Sequence, residues 1–258
     1  MSSSDADPEL PAVDERLVAP ESRYEIYDGE LVHVSPANEA HGTRHSMILT
    51  LVKIHTRSEF SVACAILTRT SETSDVAPDV SVFPRDRDPQ TGGRQLEQLA
   101  FEVVSTESLS HAGRKAAKLR ARGVRRVFAI DVERVRALKW SAELGTWSML
   151  DINAFIEDPV FAAPLPIEPL VRAAEADDAA ARALLIKRNA VLEAARAQDR
   201  AEVLAEGIAC GRAEALAEGI VRGKVESLIA LLDARGVVLG SADRARILGE
   251  RDPATLTR

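Results

Sequence analysis

Hydrophobic and polar residues follow two different patterns along the chain, and the change falls near residue 160. Before it, short apolar runs of strand length are separated by turn residues such as Asp28-Gly29. After it, apolar residues recur at helical spacing among many alanines. Strand-length runs that alternate with helical segments favour an α/β domain, whereas sustained helical spacing favours an all-α one. The pattern therefore predicts a mixed α/β domain followed by a helical extension.

The α/β part begins with a predicted hairpin and a predicted helix. β-rich runs at 24–27 and 31–34 flank Asp28-Gly29-Glu30, and an Asp-Gly pair between two such runs is a strong hairpin signal. From His41 to His55 the apolar residues recur every three or four positions. This segment is therefore predicted to be a helix.

The rest of the α/β part alternates buried strands with one basic helix. Apolar runs predict strands at 61–68, 79–83, 99–105 and 127–132, and a closing hairpin is predicted over 135–150. A basic helix over 110–122, ended by Gly123, joins the last two of these strands. Residues 99–132 thus form a predicted strand–helix–strand unit.

The helical extension contains one short repeat. The pentapeptide LAEGI occurs at 204–208 and at 216–220, with glycines at positions 207, 211, 219 and 223. Each glycine in a helix costs about 0.5–1 kcal/mol relative to alanine. The glycines either allow close packing against another helix or mark a weak helix. The weak helix is favoured because two copies fall short of a repeat array.

The aromatic residues support a boundary between the two parts. All ten lie between Tyr24 and Phe161, and the 97 residues from 162 to 258 contain none. A chain of 258 residues is long enough for one domain and an accessory segment. We therefore predict a flexible N-terminal segment at 1–20, a compact domain at 21–160 and a helical extension at 166–258.

Charge and cysteine content narrow the functional classes. The net charge of −7 argues against a generally basic nucleic-acid coat, but residues 108–130 carry seven basic side chains and no acidic one. Cys64 and Cys210 lie far apart and outside any metal-binding motif, which predicts a reducing, cytoplasmic location. Charged residues interrupt every apolar stretch before it reaches membrane-spanning length. A soluble protein with no membrane partner is therefore expected.

Two carboxylates lie at or inside apolar strands, where an ionised group costs free energy unless it is paired. Asp79 opens the run DVSVF, and Glu102 interrupts the run LAFEVVS. On adjacent strands they would converge on one divalent cation, Mg²⁺ or alternatively Mn²⁺, and Glu25 would supply a third acid. The structural alternatives are a turn cap for Asp79 and a buried ion pair for Glu102.

The basic helix supplies cations suited to phosphodiester chemistry. Lys115 lies at the edge of the predicted inward-facing stripe, from which it would reach the strand ends and orient an attacking water. The other basic residues are predicted to point outward and contact a phosphate backbone, with Lys118, Arg122 and Arg125 as the nucleic-acid-binding candidates. Taken alone, Lys115 and this basic run are more often a solvated helix face.

Three histidines have no assigned role at this point. His41 and His45 lie one helical turn apart, which is a spacing that metal ligands use. Without a third ligand, a surface or phosphate-contact role is favoured for both. His111 lies near the predicted site, and the sequence does not decide whether it titrates there.

These residues occur in an order and spacing that resembles the Uma-type restriction endonucleases, a large bacterial family of the PD-(D/E)XK phosphodiesterase superfamily. The similarity covers about residues 20–150. Its markers are Arg23-Tyr24-Glu25-Ile26, Asp28-Gly29-Glu30-Leu31, Ser35-Pro36, His41, Pro78-Asp79-Val80, Phe101-Glu102-Val103-Val104-Ser105, Lys115, Gly123-Val124 and Ile130-Asp131. The resemblance implies a restriction-endonuclease-like core with a mixed β-sheet, Asp79 and Glu102 as metal ligands and Glu25 as an additional acid.

The resemblance also assigns the catalytic lysine to an unusual place. In the wider superfamily the lysine stands two residues after the glutamate, where this chain has Val104. The family resemblance gives its role to Lys115 instead. The chain departs from the family pattern nearby, with His111, Leu119 and Arg126 where the family tends to have Asp, Tyr and Glu respectively.

Two functions follow from the sequence. The leading prediction is a Mg²⁺-dependent endonuclease that hydrolyses DNA phosphodiester bonds, with a homodimer as one arrangement. The competing one is a nuclease-fold module that has lost catalysis and binds nucleic acid or protein, with the helical extension mediating assembly. The departures around Lys115 motivate the second.

Overall fold

The structure is a computed structural model that describes residues 10–18, 24–34, 39–104, 109–172, 176–252 and 254–255. The predicted architecture, a mixed β-sheet flanked by helices and followed by a helical extension, is confirmed. The chain divides into two compact units, Met1–Asn189 and Ala190–Arg258. The predicted N-terminal residues 1–9 and 19–20, and the markers Arg23, Ser35-Pro36 and Ser105, lie outside the described residues.

The first unit contains most of the secondary structure. In chain order its elements are β1 (Tyr24–Tyr27), β2 (Glu30–His33), α1 (Glu39–His55), β3 (Phe60–Cys64), β4 (Thr68–Ser71), β5 (Ser74–Val76), β6 (Val80–Pro84), β7 (Leu99–Val104), α2 (Leu109–Arg122), β8 (Arg126–Asp131), β9 (Arg136–Ser141), β10 (Thr146–Met149), β11 (Phe155–Ile156), β12 (Leu165–Pro166), α3 (Glu168–Val171) and α4 (Ala176–Ile186). The predicted first hairpin is β1–β2, and the predicted strand–helix–strand unit is β7–α2–β8.

A six-stranded sheet in the order β10-β9-β8-β7-β6-β3 forms the centre of this unit. Strands β7 and β8 are parallel, and the other neighbours are antiparallel. Leu99, Phe101 and Val103 of β7 pack with α1 in the larger apolar core, whereas Ala100 packs with α2 on the other face. Because successive strand residues point to opposite faces, Glu102 shares the α2 face.

A second sheet, in the order β2-β1-β5-β4, contains a hairpin that the apolar pattern does not predict. The single strand predicted over 61–68 is wrong, because β3 ends at Cys64, Ala65 has a positive φ of 49° and β4 begins at Thr68. Strands β4 and β5 consist largely of Thr, Ser, Arg and Asp, yet most of these residues are buried. Polar residues that pair with one another leave no apolar alternation to detect.

Residues 10–18 contact this second sheet through hydrogen bonds. The backbone N–H of Leu17 donates to Asp75 Oδ2 at 2.6 Å. The backbone N–H of Arg69 donates to the carbonyl of Val13 at 2.9 Å, and Val13 is buried. These bonds hold the described part of the N-terminal segment against β4 and β5.

The first unit continues past residue 165 because α3 and α4 pack on it. Leu170, Val171 and Ala179 are buried in the larger core, and α4 contacts α1. The second unit contains α5 (Ala190–Ala234), which is 45 residues long, and α6 (Ser241–Gly249). Helix α5 continues through all four glycines of the LAEGI segments, and a Cβ added at any of them would meet no atom within 4 Å. No helix among the described residues has the length and apolar character needed to cross a bilayer.

Candidate active site

Asp79 directly precedes β6, and Glu102 lies on the neighbouring strand β7. In the antiparallel pair of β6 and β7, Val80 is opposite Phe101. Continuing this register by one residue places Asp79 opposite Glu102. The backbone N–H of Val103 donates to Asp79 Oδ2 at 2.6 Å, which fixes this carboxylate at the start of β6. The strand adjacency on which the sequence-based prediction depends is therefore present.

Glu102 is buried, and its two oxygens have different environments. Oε2 lies 3.2 Å from Lys115 Nζ. Oε1 is buried and has no hydrogen-bond partner among the described residues. Burial raises the pKa of Glu102 well above its usual value, and the nearby carboxylates of Asp79 and Glu25 add to this while Lys115 opposes it. A buried oxygen without a partner is costly, so it marks a position suited to an added ligand.

Lys115 reaches the site because α2 is amphipathic. Ala112, Ala116 and Leu119 face inward, and Lys115 lies between them and is itself buried. Its ammonium group has three acceptors, namely Ala77 O at 2.9 Å, Glu25 Oε1 at 3.1 Å and Glu102 Oε2 at 3.2 Å. Burial lowers the pKa of Lys115, but the carboxylates of Glu102, Glu25 and Asp79 outweigh burial and keep it well above its usual value. The lysine is therefore charged and fully hydrogen-bonded.

Glu25 reaches the same lysine from the second sheet. Its Oε1 also accepts a hydrogen bond from the backbone N–H of Ala77 at 3.1 Å, and its Oε2 accepts one from the Tyr27 hydroxyl at 2.5 Å. Burial raises the pKa of Tyr27, and the Glu25 carboxylate raises it further, so the hydroxyl stays protonated and donates. Both oxygens of Glu25 are thus engaged within the protein, which suits a residue that positions Lys115.

Two histidines of α1 lie beside Asp79. His41 Nε2 is 3.9 Å from Asp79 Oδ1, and His45 Nε2 is 2.6 Å from the backbone carbonyl of Asp79. Among the described residues, His41, His45 and Asp79 are the one set of three whose metal-ligating atoms all lie within 4.8 Å of one another. Glu25 and Glu102 are not part of this set.

The residues at the strand ends fit a divalent cation. The family resemblance implies such an ion, and hard divalent cations take carboxylate oxygens. The buried, unpartnered Oε1 of Glu102 is one available oxygen. Asp79, opposite it, offers a second carboxylate, and its negative charge acts on Glu102 strongly enough to raise the Glu102 pKa. Two carboxylates that repel each other are a donor set that a cation stabilises.

The three basic residues predicted to contact nucleic acid have partners within the protein. Lys118 Nζ donates to Asp28 Oδ1 at 2.7 Å and to Ser74 Oγ at 3.2 Å. Arg122 donates to the carbonyl of Pro11 at 2.5 Å. All three are partly buried, so each is only partly accessible to a phosphate backbone.

Arg125 makes the strongest of these contacts. It binds Asp158 through two hydrogen bonds of 2.7 and 2.6 Å, and Arg126 adds a third at 3.1 Å. The Asp158 side chain is fully buried. Burial would raise the pKa of Asp158, but its hydrogen bonds from Arg125, the backbone N–H of Val160 and Arg126 outweigh burial and hold the pKa below its usual value. This bidentate pair joins the residue before β8 to the segment that follows β11.

Replacing Asp158 with asparagine should therefore destabilise the domain by about 2–3 kcal/mol at neutral pH, because two arginines lose their anionic partner. A carboxyl with a lowered pKa contributes stability above its unfolded pKa and loses that contribution as the pH falls through its folded pKa. The difference between wild type and D158N, measured by urea unfolding, should accordingly shrink from pH 7 to pH 3. Glu157→Gln, at the exposed neighbouring position, serves as the control and should change little. A constant difference at both pH values would contradict this account.

Parts of this site could not be predicted from the sequence. Tyr27 occupies a strand position that looks like ordinary core, and its hydrogen bond to Glu25 has no sequence signature. The carbonyl of Ala77 carries no side-chain signal either. The spacing of His41 and His45 was visible, but the third member of their cluster, Asp79, is far away in the sequence. Only the fold brings the three together.

Comparison with known proteins identifies the family of this chain. The family model Uma2, whose description is "Putative restriction endonuclease", matches residues 9–168. A crystal structure described as a putative nuclease belonging to DUF820 from Anabaena variabilis ATCC 29413 has 16% sequence identity and a TM-score of 0.46, covering 57% of this chain and 89% of that chain. No curated protein sequence matches the chain significantly. Since the family model covers more than half of the 258 residues, the chain belongs to the Uma2 family, as its sequence motifs indicate.

Proposed function

We propose that this chain is a metal-dependent endonuclease that hydrolyses DNA phosphodiester bonds, with Mg²⁺ or Mn²⁺ as the activating ion. The observation that carries the proposal is the Glu102 side chain. One of its oxygens is held by Lys115, and the other is buried and has no hydrogen-bond partner among the described residues. The second oxygen is available as a cation ligand, and the charge of the nearby Asp79 carboxylate adds to the attraction for a cation.

The chemistry divides between the ion and the protein. A bound divalent cation polarises the phosphoryl group and lowers the pKa of water. Asp79 and Glu102 supply the anionic oxygens that hold it, and the hydrogen bond from the Val103 N–H keeps Asp79 in place. Lys115 holds Glu102 in one orientation and adds positive charge where negative charge develops in the transition state.

Glu25 acts on the lysine. Its hydrogen bonds to Tyr27 and to the Ala77 N–H orient the carboxylate, and that carboxylate with the Ala77 carbonyl fixes the ammonium group. A buried lysine with fixed acceptors loses little entropy when substrate binds. We therefore assign Glu25 to the positioning of Lys115 rather than to the coordination of the ion.

Lys118 is the best suited of the predicted nucleic-acid contacts. Its partner Asp28 is exposed, and exposed ion pairs contribute little to stability. A DNA phosphate would readily replace such a partner. Arg114, one helical turn before Lys118, is exposed, and both cations lie near the Tyr27 ring, at 5.6 and 5.9 Å. Arg125 is poorly suited because its partner Asp158 is buried.

The proposal is tested by incubating supercoiled plasmid with the full chain and Mg²⁺ or Mn²⁺, and in parallel with Asp79→Asn. We expect nicking by the wild type that EDTA removes, and a loss on the order of 10²-fold or more in the variant. Asp86→Asn, at an exposed position in the loop after β6, is the matched control and should cleave normally. Equal cleavage by Asp79→Asn, or none by the wild type with either ion, would overturn the assignment. The second result would favour a binding module without catalysis.

A further inference from the structure

The residues beside Asp79 include ligands that a magnesium site does not need. His41 and His45 each place an imidazole nitrogen within 4.8 Å of the Asp79 carboxylate and of each other. Nothing in the proposed DNA hydrolysis requires nitrogen at this position. Mg²⁺ prefers oxygen ligands and retains water, whereas imidazole favours the first-row transition metals.

Helix α1 creates this arrangement. His41 and His45 are four residues apart, so they lie on one face of the helix, one turn from each other. Their rings are 6.1 Å apart between centroids and meet at 70°. Both side chains are partly exposed, as is Asp79. The cluster is thus accessible to an ion from solvent, in contrast to the buried contact of Lys115 with Glu25 and Glu102.

The Asp79–His41 distance is informative. At 3.9 Å, Asp79 Oδ1 and His41 Nε2 are too far apart for a direct hydrogen bond. Metal–ligand bonds of about 2.0–2.3 Å place two ligands of the same ion about 3–4.5 Å apart. The observed separation falls within this range, as expected of two ligands of one ion.

The contact of His45 with Asp79 determines which ring nitrogen of His45 would bind an ion. Its Nε2 lies 2.6 Å from the backbone carbonyl of Asp79. A carbonyl accepts only, so Nε2 carries the hydrogen and the lone pair of the ring is on Nδ1. Metal-ligating histidines commonly donate their other N–H to a carbonyl or carboxylate, which fixes the tautomer and the ring.

We propose that His41, His45 and Asp79 form a nitrogen-containing cation site that binds a transition metal of the Mn²⁺, Co²⁺ or Zn²⁺ type in preference to Mg²⁺. The inference refines the proposed function, on which it rests for the role of the ion. It assigns His41 and His45 as metal ligands, and it changes the expected cofactor from a magnesium ion held only by oxygen to an ion that accepts imidazole.

The test measures binding rather than cleavage. The full chain is titrated with Co²⁺, and the visible absorption of the protein-bound ion is followed, since its intensity and position report nitrogen ligation. Mg²⁺ is then added as a competitor. We expect Co²⁺ to bind at least about tenfold more tightly than Mg²⁺. We also expect His41→Gln and His45→Gln each to weaken Co²⁺ binding about tenfold or more, and to change Mg²⁺ binding little.

His33→Gln, at an exposed position on β2, is the matched control. Circular dichroism of each variant establishes that it is folded.

The outcomes separate this inference from the proposed function. Unchanged Co²⁺ affinity and spectrum in both α1 variants would overturn the nitrogen site, even if the protein cleaves DNA with Mg²⁺. Loss of Co²⁺ binding in those variants would support the site, even if no cleavage is found with any ion. Retention of full Co²⁺ binding by Asp79→Asn would also overturn the inference, because that carboxylate is the third ligand.

Discussion

Replacing Glu102 with glutamine is expected to lower cation-dependent DNA cleavage by on the order of 10²- to 10³-fold. Glutamine has nearly the same shape, and its amide oxygen still accepts a hydrogen bond from Lys115. It lacks the negative charge that would hold a divalent cation at the position of Oε1. The measurement is the initial rate of plasmid nicking at saturating Mg²⁺ and at saturating Mn²⁺, compared with wild type.

The same substitution should leave the metal-free protein about as stable as the metal-free wild type. Burial and the neighbouring carboxylates of Asp79 and Glu25 raise the pKa of Glu102, so its charge is unfavourable where it lies. Removing that charge while Lys115 keeps Glu25 as a partner should lower the melting temperature by no more than about 4 °C. A large loss of stability together with the loss of cleavage would identify Glu102 as a structural residue and contradict its role as a ligand.

Replacing Lys115 with methionine is expected to destabilise the domain by about 3–5 kcal/mol at neutral pH. Methionine fills similar space but leaves the buried carboxylates of Glu25 and Glu102 without their cation. Glu102, whose pKa is raised well above its usual value by burial, is easier to accommodate when protonated, so the loss of stability should decrease as the pH is lowered towards 4. Urea unfolding of both proteins across this pH range checks the prediction.

Lys118→Met is the matched control for this substitution. Lys118 lies on the same helix one turn away, and its carboxylate partner Asp28 is on the surface. Its removal should change the midpoint of unfolding very little. Equal effects at the two positions would show that the ammonium group of Lys115 is no more important to folding than a surface charge.

The sequence predicts the central sheet well because its strands are apolar. The run LAFEVV buries every residue, so hydrophobicity alone locates it and makes Glu102 conspicuous. The hairpin of β4 and β5 was missed for the opposite reason. Thr68 and Asp75 are fully buried but polar, and only their partners in the folded protein reveal that they are inside.

The candidate site was predictable residue by residue but not as an arrangement. Asp79, Glu102 and Lys115 were recognisable from their local context and from family resemblance. The contacts among them could not be predicted, because Glu25 contacts Lys115 from a different sheet and His41 lies beside Asp79 on a helix that precedes it in the chain. The ion pair of Arg125 could not be predicted, because its buried partner Asp158 lies 33 residues later in the chain.

The three acceptors of Lys115 come from residues 25, 77 and 102, and the lysine itself follows all of them in the chain. During synthesis, a chain whose α2 has not yet left the ribosome holds Glu25 and Glu102 without their cation. Because these contacts join residues far apart in the sequence, the centre forms only after long-range folding. Under the proposed function, a partly made chain would therefore lack the activity.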